Sequence, residues 1–253
     1  MKGINFDWHG RFLQQAAWTK PLRDYLFSQI GLAASKRILE VGCGTGAILL
    51  EMEARFSGQI FGADIDSSFL QQASYHTSRS PLIQADAHAL PFPTHSFDLS
   101  ICHFLLLWVE DPVSVVREME RLTRPGGYVL ALAEPDYGGR IDYPFELEAL
   151  GKLQQDSLNR QGAQPLLGRQ LNDIFLQAGF SNARSGCLGG EWKLADSEVQ
   201  GDSEWEMIEQ DQMALNDSLS QEKILSLKNL DQEARKKGTR VLFVPTFYAL
   251  GKK

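Results

Sequence analysis

The chain has 253 residues, 43% of them apolar, enough to bury one substantial core, and its length suits a single elaborated domain better than two independent ones. A net charge of −7 and a pI near 5.3 exclude the broad basic face that neutralises many phosphates, so a small-molecule substrate is expected and nucleic acid is not. Cys43, Cys102 and Cys187 form no C-x-x-C, the N-terminus lacks the apolar core of a signal peptide, and no apolar run approaches the ~20 residues of a membrane span, so a cytoplasmic protein without disulfides, metal or membrane contact is expected.

In residues 1–35, Trp18, Leu22, Leu26 and Ile30 recur near helical spacing, interrupted by Pro21, which predicts a helix or helix pair packed over a sheet edge or a ligand. From Lys36 the pattern alternates. Arg37–Val41 reads as a buried strand, Ala47–Arg55 as a helix, Gln59–Ala63 as a strand and Ser67–His76 as a helix. Pro81–Ala85 and Phe97–His103 continue as strands, followed by a helix over Pro112–Leu122 and a strand over Tyr128–Ala133. Repeated βαβ units with right-handed crossovers give an α/β fold with a doubly wound, mostly parallel sheet, whose core is residues 36–134.

After Glu134 the alternation stops. Phe145, Leu147, Leu150, Leu153 and Leu158 predict a helix within an insertion over residues 135–165, expected to cap the site. Leu171, Ile174, Phe175 and Ala178 form a further helical stripe closed by Gly179, with a short strand over Asn182–Cys187 behind it. A second insertion spans residues 191–238. It opens with eight acids against one lysine between Glu191 and Asp211, and holds a helix started by the capping box Ser218 and Gln221 and ended at Gly238. Arg240–Leu250 is expected to close the sheet as one strand.

The chemistry concentrates in Glu40-Val41-Gly42-Cys43-Gly44-Thr45-Gly46, where glycines between a strand and a helix let the backbone approach a ligand without Cβ clashes. The glycines alone leave the ligand open, because Gly42-x-Gly44-x-x-Ala47 also fits a dinucleotide loop. Asp64 ends the second strand, where a carboxylate can accept hydrogen bonds from both ribose hydroxyls.

Four segments in order carry a resemblance. Glu40–Gly46 resembles motif I of the class I S-adenosylmethionine-dependent methyltransferases, of the UbiE-like small-molecule type. Asp86-Ala87-His88-Ala89-Leu90-Pro91-Phe92 is similar to the family's D-A-x-x-L-P-F segment, Ser96-Phe97-Asp98-Leu99 to its S-F-D-x-V/L strand opening, and Pro125-Gly126-Gly127 to its P-G-G turn. The resemblance covers residues 36–134 and reaches weakly to Gly179-Phe180.

It implies a Rossmann-like sheet of seven strands and S-adenosylmethionine as cofactor. Gly42 and Gly44 would touch its methionine part, Asp64 its ribose, Ile65 and Ala87 its adenine, and Asp86 the exocyclic amine, with Glu40, Cys43 and Gly46 also among the cofactor-binding residues. His103 would lie near the sulfonium. Arg11 could pair with the cofactor carboxylate, since a guanidinium suits that group. His103 and Glu134 are the candidates for catalysis, the latter with Asp136 and Tyr137 at the carboxyl edge of the sheet. Trp18, Phe104, Trp108, Tyr143 and Trp192 could wall an aromatic acceptor pocket. The function expected is methyl transfer to a small molecule, with a nicotinamide-dependent oxidoreductase or a non-catalytic cofactor-binding module as alternatives.

Overall fold

A computed structural model describes residues 7–31, 37–187, 189, 205 and 221–253. It divides into two compact units, one of residues 1–134, 167–187 and 246–253, the other of residues 135–166 and 188–245.

The first unit begins with α1 (Trp8–Ile30), one continuous helix rather than a pair. Asp7 caps its start by accepting from the Gly10 N–H at 2.9 Å, and Gly31 ends it in the left-handed region. Pro21 sits inside the helix and removes one backbone hydrogen bond, a cost of ~3 kcal/mol that the burial of Leu22, Arg23, Leu26 and Phe27 beyond it offsets. The buried stripe runs Ala16, Thr19, Arg23, Leu26 and Phe27, so Trp18 lies outside it and is 40% exposed. Two polar residues therefore occupy a face that hydrophobic periodicity assigns to apolar ones.

The sheet follows: β1 (Arg37–Val41), β2 (Gln59–Asp64), β3 (Leu82–Gln84), β4 (Phe97–Cys102) and β5 (Thr123–Pro135), with α2 (Ala47–Arg55), α3 (Ser67–His76) and α4 (Pro112–Leu122) as crossovers. β2, β1, β4 and β5 all pair in parallel, as does β3 with β2. Arg124–Gly127 bulges out opposite Asp98, where the register slips between Phe97 and Leu99. A Cβ on Gly127 would lie 2.6 Å from the Asp98 carbonyl, so the position requires glycine. Asp98 itself accepts from the Arg37 N–H at 2.7 Å and pairs with Arg124 at 2.6 Å, so the acid of the S-F-D-L segment ties β4 to its neighbours.

The first unit is completed by α6 (Leu171–Gln177), β7 (Arg184–Cys187) and β9 (Thr246–Lys252), giving a seven-stranded sheet in the order β3-β2-β1-β4-β5-β9-β7, with β7 and β9 antiparallel. The chain winds outward from β1 to β3 and then returns to β4, so the connections leave β1 and β4 in opposite directions. That reversal opens a crevice at the carboxyl ends of β1 and β4.

The second unit holds β6 (Ile141–Tyr143), α5 (Glu148–Arg160), α7 (Gln221–Lys236) and β8 (Val241–Phe243). Arg240–Leu250 is thus two strands: β8 pairs antiparallel with β6, and β9 joins the large sheet. Pro245, which has no N–H to donate, separates them. Leu147, Leu150, Trp205 and Leu227 form an apolar cluster in this unit. Ser218, Trp192 and the acidic stretch apart from Trp205 lie outside the described residues. Among those described, no helix is long and apolar enough to cross a membrane.

Candidate active site

The crevice is lined first by the turn from β1 to α2. The N–H groups of Gly42 and Cys43 donate to the Ala63 carbonyl at 2.8 and 3.0 Å, fastening the loop to the end of β2. Gly42, Gly44 and Gly46 have φ of 72°, 51° and 85°. A Cβ on Gly42 would lie 2.7 Å from Leu105 Cδ1, and one on Gly44 2.9 Å from Phe12 Cε2. Shape and backbone conformation both demand glycine there. Cys43 is buried, and burial pushes its thiol well above the usual range. It contributes backbone to the loop, its sulfur packing toward Gly62.

Asp64 ends β2 and faces this loop. Its Oδ2 accepts from the Gly44 N–H at 2.7 Å and its Oδ1 from the Asp66 N–H at 2.9 Å. Burial raises its pKa, and those N–H groups oppose the rise. Glu40 lies one strand over, on β1, 2% exposed, and its Oε2 has no partner among the described residues. Burial raises its pKa well above the carboxylate range, only partly countered by Arg23. An orphaned buried carboxyl beside a loop of left-handed glycines is a polar site suited to a cationic or donor group.

Beyond β3, Asp86 is exposed, and its Oδ1 accepts from both the N–H and the Nδ1 of His88, at 2.9 and 2.7 Å. Those contacts hold its pKa down. The segment that follows is clamped by α4: Glu118 accepts from the Leu90 N–H at 2.8 Å, and Arg121 donates to the carbonyls of Leu90 and Phe92. Ile65, 67% exposed at the end of β2, presents an apolar side chain to the same edge, with Ala87 partly buried beside Asp86.

His103 follows the last residue of β4. The pairing of Val41 with Cys102 sets it level with Gly42. Its Nε2 lies 2.8 Å from Thr19 Oγ1, and its ring meets Phe104 edge-on. Burial and the nearby Arg23 charge hold its pKa well below the histidine norm, so it is neutral at pH 7.

Glu134 has a different occupation from the one expected of it. It is wholly buried, and its carboxylate accepts the N–H groups of Leu105, Leu106 and Leu107 at 3.0, 2.9 and 3.3 Å. These bonds hold the turn after β4, in which Phe104 takes a φ of 52°, and leave Glu134 as a brace for that turn instead of a free base. Burial raises its pKa to about 7. Arg11 is buried as well, donating to Gln14 Oε1 at 2.8 Å and stacking over Trp18 at 4.8 Å.

The start of α1 also meets the glycine loop, through His9 and Phe12, which residue patterns left unassigned although they singled out Arg11 between them. His9 Nδ1 lies 2.9 Å from Thr45 Oγ1 in the glycine loop, and the His9 ring stacks on His76 at 3.5 Å. Trp8, Phe12 and Phe69 form an aromatic triangle beside Gly44. The signal available was the dense run of aromatic and histidine residues from Phe6 to Phe12 ahead of the apolar stripe.

This crevice suits S-adenosylmethionine. The orphaned Glu40 carboxyl and the glycine-walled loop leave a polar recess that fits a donor such as that compound's amino group. Residues 39–131 match the family described as methyltransferase domain. A demethylmenaquinone methyltransferase of Bacillus licheniformis is 30% identical over 191 residues, covering 68% of this chain and 81% of that protein. Among solved structures, the phosphoethanolamine N-methyltransferase 2 of Haemonchus contortus, in complex with phosphomonomethylethanolamine and S-adenosylhomocysteine, has a TM-score of 0.59 at 17% identity. It matches 95% of this chain, which spans 57% of that one. A SAM-dependent methyltransferase of Archaeoglobus fulgidus has a TM-score of 0.59 at 18% identity, covering 98% of this chain and 100% of the other. At these identities the two structures speak for the fold.

Proposed function

The chain belongs to the class I S-adenosylmethionine-dependent methyltransferases, and from that premise we propose that it methylates a small organic acceptor in the crevice at the ends of β1 and β4. The observation that carries the site assignment is Asp86. It is an exposed carboxylate just beyond β3, the neighbour of the strand that Asp64 ends, which supports a reading in which it accepts from an adenine amine while Ile65 covers the ring face. Family membership sets aside the nicotinamide reading and the purely binding module. The Bacillus licheniformis relative, a demethylmenaquinone methyltransferase, supports a small organic acceptor here.

In this reading Glu40, Gly42, Gly44 and Gly46 hold the methionine part and Asp64 the ribose. When bound, the cofactor supplies an electrophilic methyl on sulfur. The chain's own contribution is to hold an acceptor in line with that carbon and to exclude water, by which positioning alone can supply several kcal/mol of the barrier. Calorimetric titration with S-adenosylhomocysteine tests the cofactor half, and transfer of labelled methyl into pools of small metabolites against protein tests the acceptor half. No heat at high S-adenosylhomocysteine concentration, or label appearing only in protein, overturns the proposal.

A further inference from the structure

A polar chain runs from the crevice into the first unit's core. His103 Nε2 lies 2.8 Å from Thr19 Oγ1, and Arg23 Nη1 donates to that same oxygen at 2.6 Å. Thr19 Oγ1 is also 3.0 Å from the carbonyl of Gln15, one helical turn back. Arg23 is among the largest fully buried side chains, and its Nε and Nη2 donate to Glu51, which Arg55 pairs with at 2.9 Å.

The proton count on the threonine hydroxyl decides the state of the histidine. A hydroxyl has one proton to give and two lone pairs to receive with. Arg23 can only donate and the Gln15 carbonyl can only accept. Keeping all three contacts therefore spends the hydroxyl proton on Gln15 and leaves both lone pairs receiving, one from Arg23 and one from His103. The imidazole must then carry its proton on Nε2, and Nδ1 holds the lone pair. Nδ1 has no partner among the described residues and is not sealed away from solvent.

We propose that Thr19 and Arg23 are positioning residues that fix His103 as the Nε2–H tautomer, so that its basic nitrogen Nδ1 is offered to a proton-bearing methyl acceptor, a hydroxyl or an amine. This rests on the methyltransferase reading of the crevice. As the acceptor oxygen or nitrogen bonds to the methyl carbon, the carbon–sulfur bond breaks, its electron pair stays on sulfur, and the acceptor's proton passes to Nδ1. The buried guanidinium keeps the ring neutral at rest, so Nδ1 holds its lone pair when the acceptor binds, while the same charge opposes the imidazolium that proton transfer creates. Tautomer, neutrality and placement level with Gly42 then serve one end.

The test is spectroscopic. Protein labelled with ¹⁵N in its histidine rings is observed by long-range ¹H–¹⁵N correlation at neutral pH, with His103 assigned by its loss in His103→Gln. The expected wild-type pattern is a single Nε2–H tautomer, replaced by tautomer averaging in Thr19→Val and restored in Thr19→Ser. A proton found on Nδ1, or a Thr19→Val spectrum unchanged from wild type, overturns the proposal. Saturating S-adenosylhomocysteine is expected to move the Nδ1 resonance of His103, and an unmoved resonance in protein that binds the compound calorimetrically removes His103 from the crevice. Failure to bind at all counts against the cofactor reading and leaves the tautomer result standing on its own.

Discussion

The N–H of Gly44 donates to Asp64 Oδ2 at 2.7 Å, so the acid at the end of β2 anchors the glycine loop before any ligand arrives. Its other oxygen is held by Asp66 at 2.9 Å. Under the proposed function, ribose hydroxyls would meet an acceptor already fixed in place, with lone pairs to spare. Asp64→Ala removes the ribose contact and leaves two N–H groups without their acceptor, and S-adenosylhomocysteine affinity is expected to fall by about 10- to 100-fold. Asp64→Asn, which keeps one acceptor oxygen, should lose less. Calorimetric affinities of the three proteins check this, and equal values would remove Asp64 from the site.

The close approach of Phe12 to Gly44 yields a double-mutant cycle. Gly44→Ala meets two costs: the left-handed backbone at φ 51°, about 1–2 kcal/mol for an L-residue, and the clash of its Cβ with Phe12 Cε2 at 2.9 Å. Replacing Phe12 by alanine removes only the second. The Gly44→Ala penalty in urea unfolding is expected to shrink to about 1–2 kcal/mol in the Phe12→Ala background. Identical penalties in both backgrounds would mean that α1 does not press on the loop in solution.

Glu134 makes a pH signature. Burial raises its pKa to about 7, against the ordinary 4.5, so the protein's stability contribution from this group is fully present below about pH 4.5 and is lost as pH rises through about 7. The loss is up to about 3 kcal/mol. Glu134→Gln cannot ionise, so the stability of the wild type relative to this variant should fall between pH 5 and pH 8, an interval spanning that about-7 value. Urea midpoints across that range measure it. A constant difference would show that the three N–H donors keep the carboxylate ionised throughout.

Much of this site was legible because its residues act through backbone shape and strand ends, which leave fixed spacings. Glycines 42, 44 and 46 had to be glycine for conformation and for the approach of Leu105 and Phe12, and Asp64 and Asp86 sit where strand ends must fall. Glu134 was misread for a physical reason: a carboxylate at a strand end looks the same in sequence whether it faces a ligand or caps a turn, and only the chain path after β4 decides. The N-terminal stripe was assigned to Trp18 instead of Thr19 because periodicity counts apolar residues, while this helix buries a threonine and an arginine. The break at Pro245 was overlooked because β8 and β9 are both apolar and nearly contiguous, and their separation depends on β6, about 100 residues away.

The stacked pair His9 and His76 links the glycine loop to pH from the acid side. Burial, then His76, lowers the pKa of His9 below 6.5. A base lowered on folding contributes stability above its ordinary pKa and loses it as pH falls through that value toward the folded one. Protonating His9 would set a charge against the His76 ring at 3.5 Å, a cost that the contact with Thr45 only partly offsets. Hydrogen exchange over residues 8–16, corrected for intrinsic rates, is expected to quicken as pH falls below 6.5 in the wild type and to quicken less in His76→Phe, which keeps an aromatic stack and removes the neighbour that adds to the burial effect on His9. Equal acid sensitivity in both proteins would locate the effect elsewhere.

The second unit carries its own test in Asp231, which is 1% exposed. Its Oδ2 accepts from Arg235 Nε at 2.8 Å and Trp205 Nε1 at 3.0 Å, and its Oδ1 from Arg240 Nε at 2.6 Å. Burial pushes its pKa up, but Arg235, Trp205 and Arg240 together outweigh that and hold it below the usual value. Stability from this group is therefore present at neutral pH and lost only in strong acid, as pH falls through the lowered value. Arg240 also bonds Asp142 at 2.7 Å, so Asp142 and Asp231 serve Arg140, Arg235 and Arg240, and removing either acid strands buried guanidinium charge. Asp231→Ala is expected to cost about 3–5 kcal/mol, and Asp231→Leu, closer in volume but equally uncharged, nearly as much, because the loss lies in uncompensated charge more than in packing. Trp205 reports the event directly: its near-ultraviolet dichroism should collapse in these variants while S-adenosylhomocysteine binding by the first unit persists. Retained dichroism and stability would show that water reaches and solvates those arginines in solution.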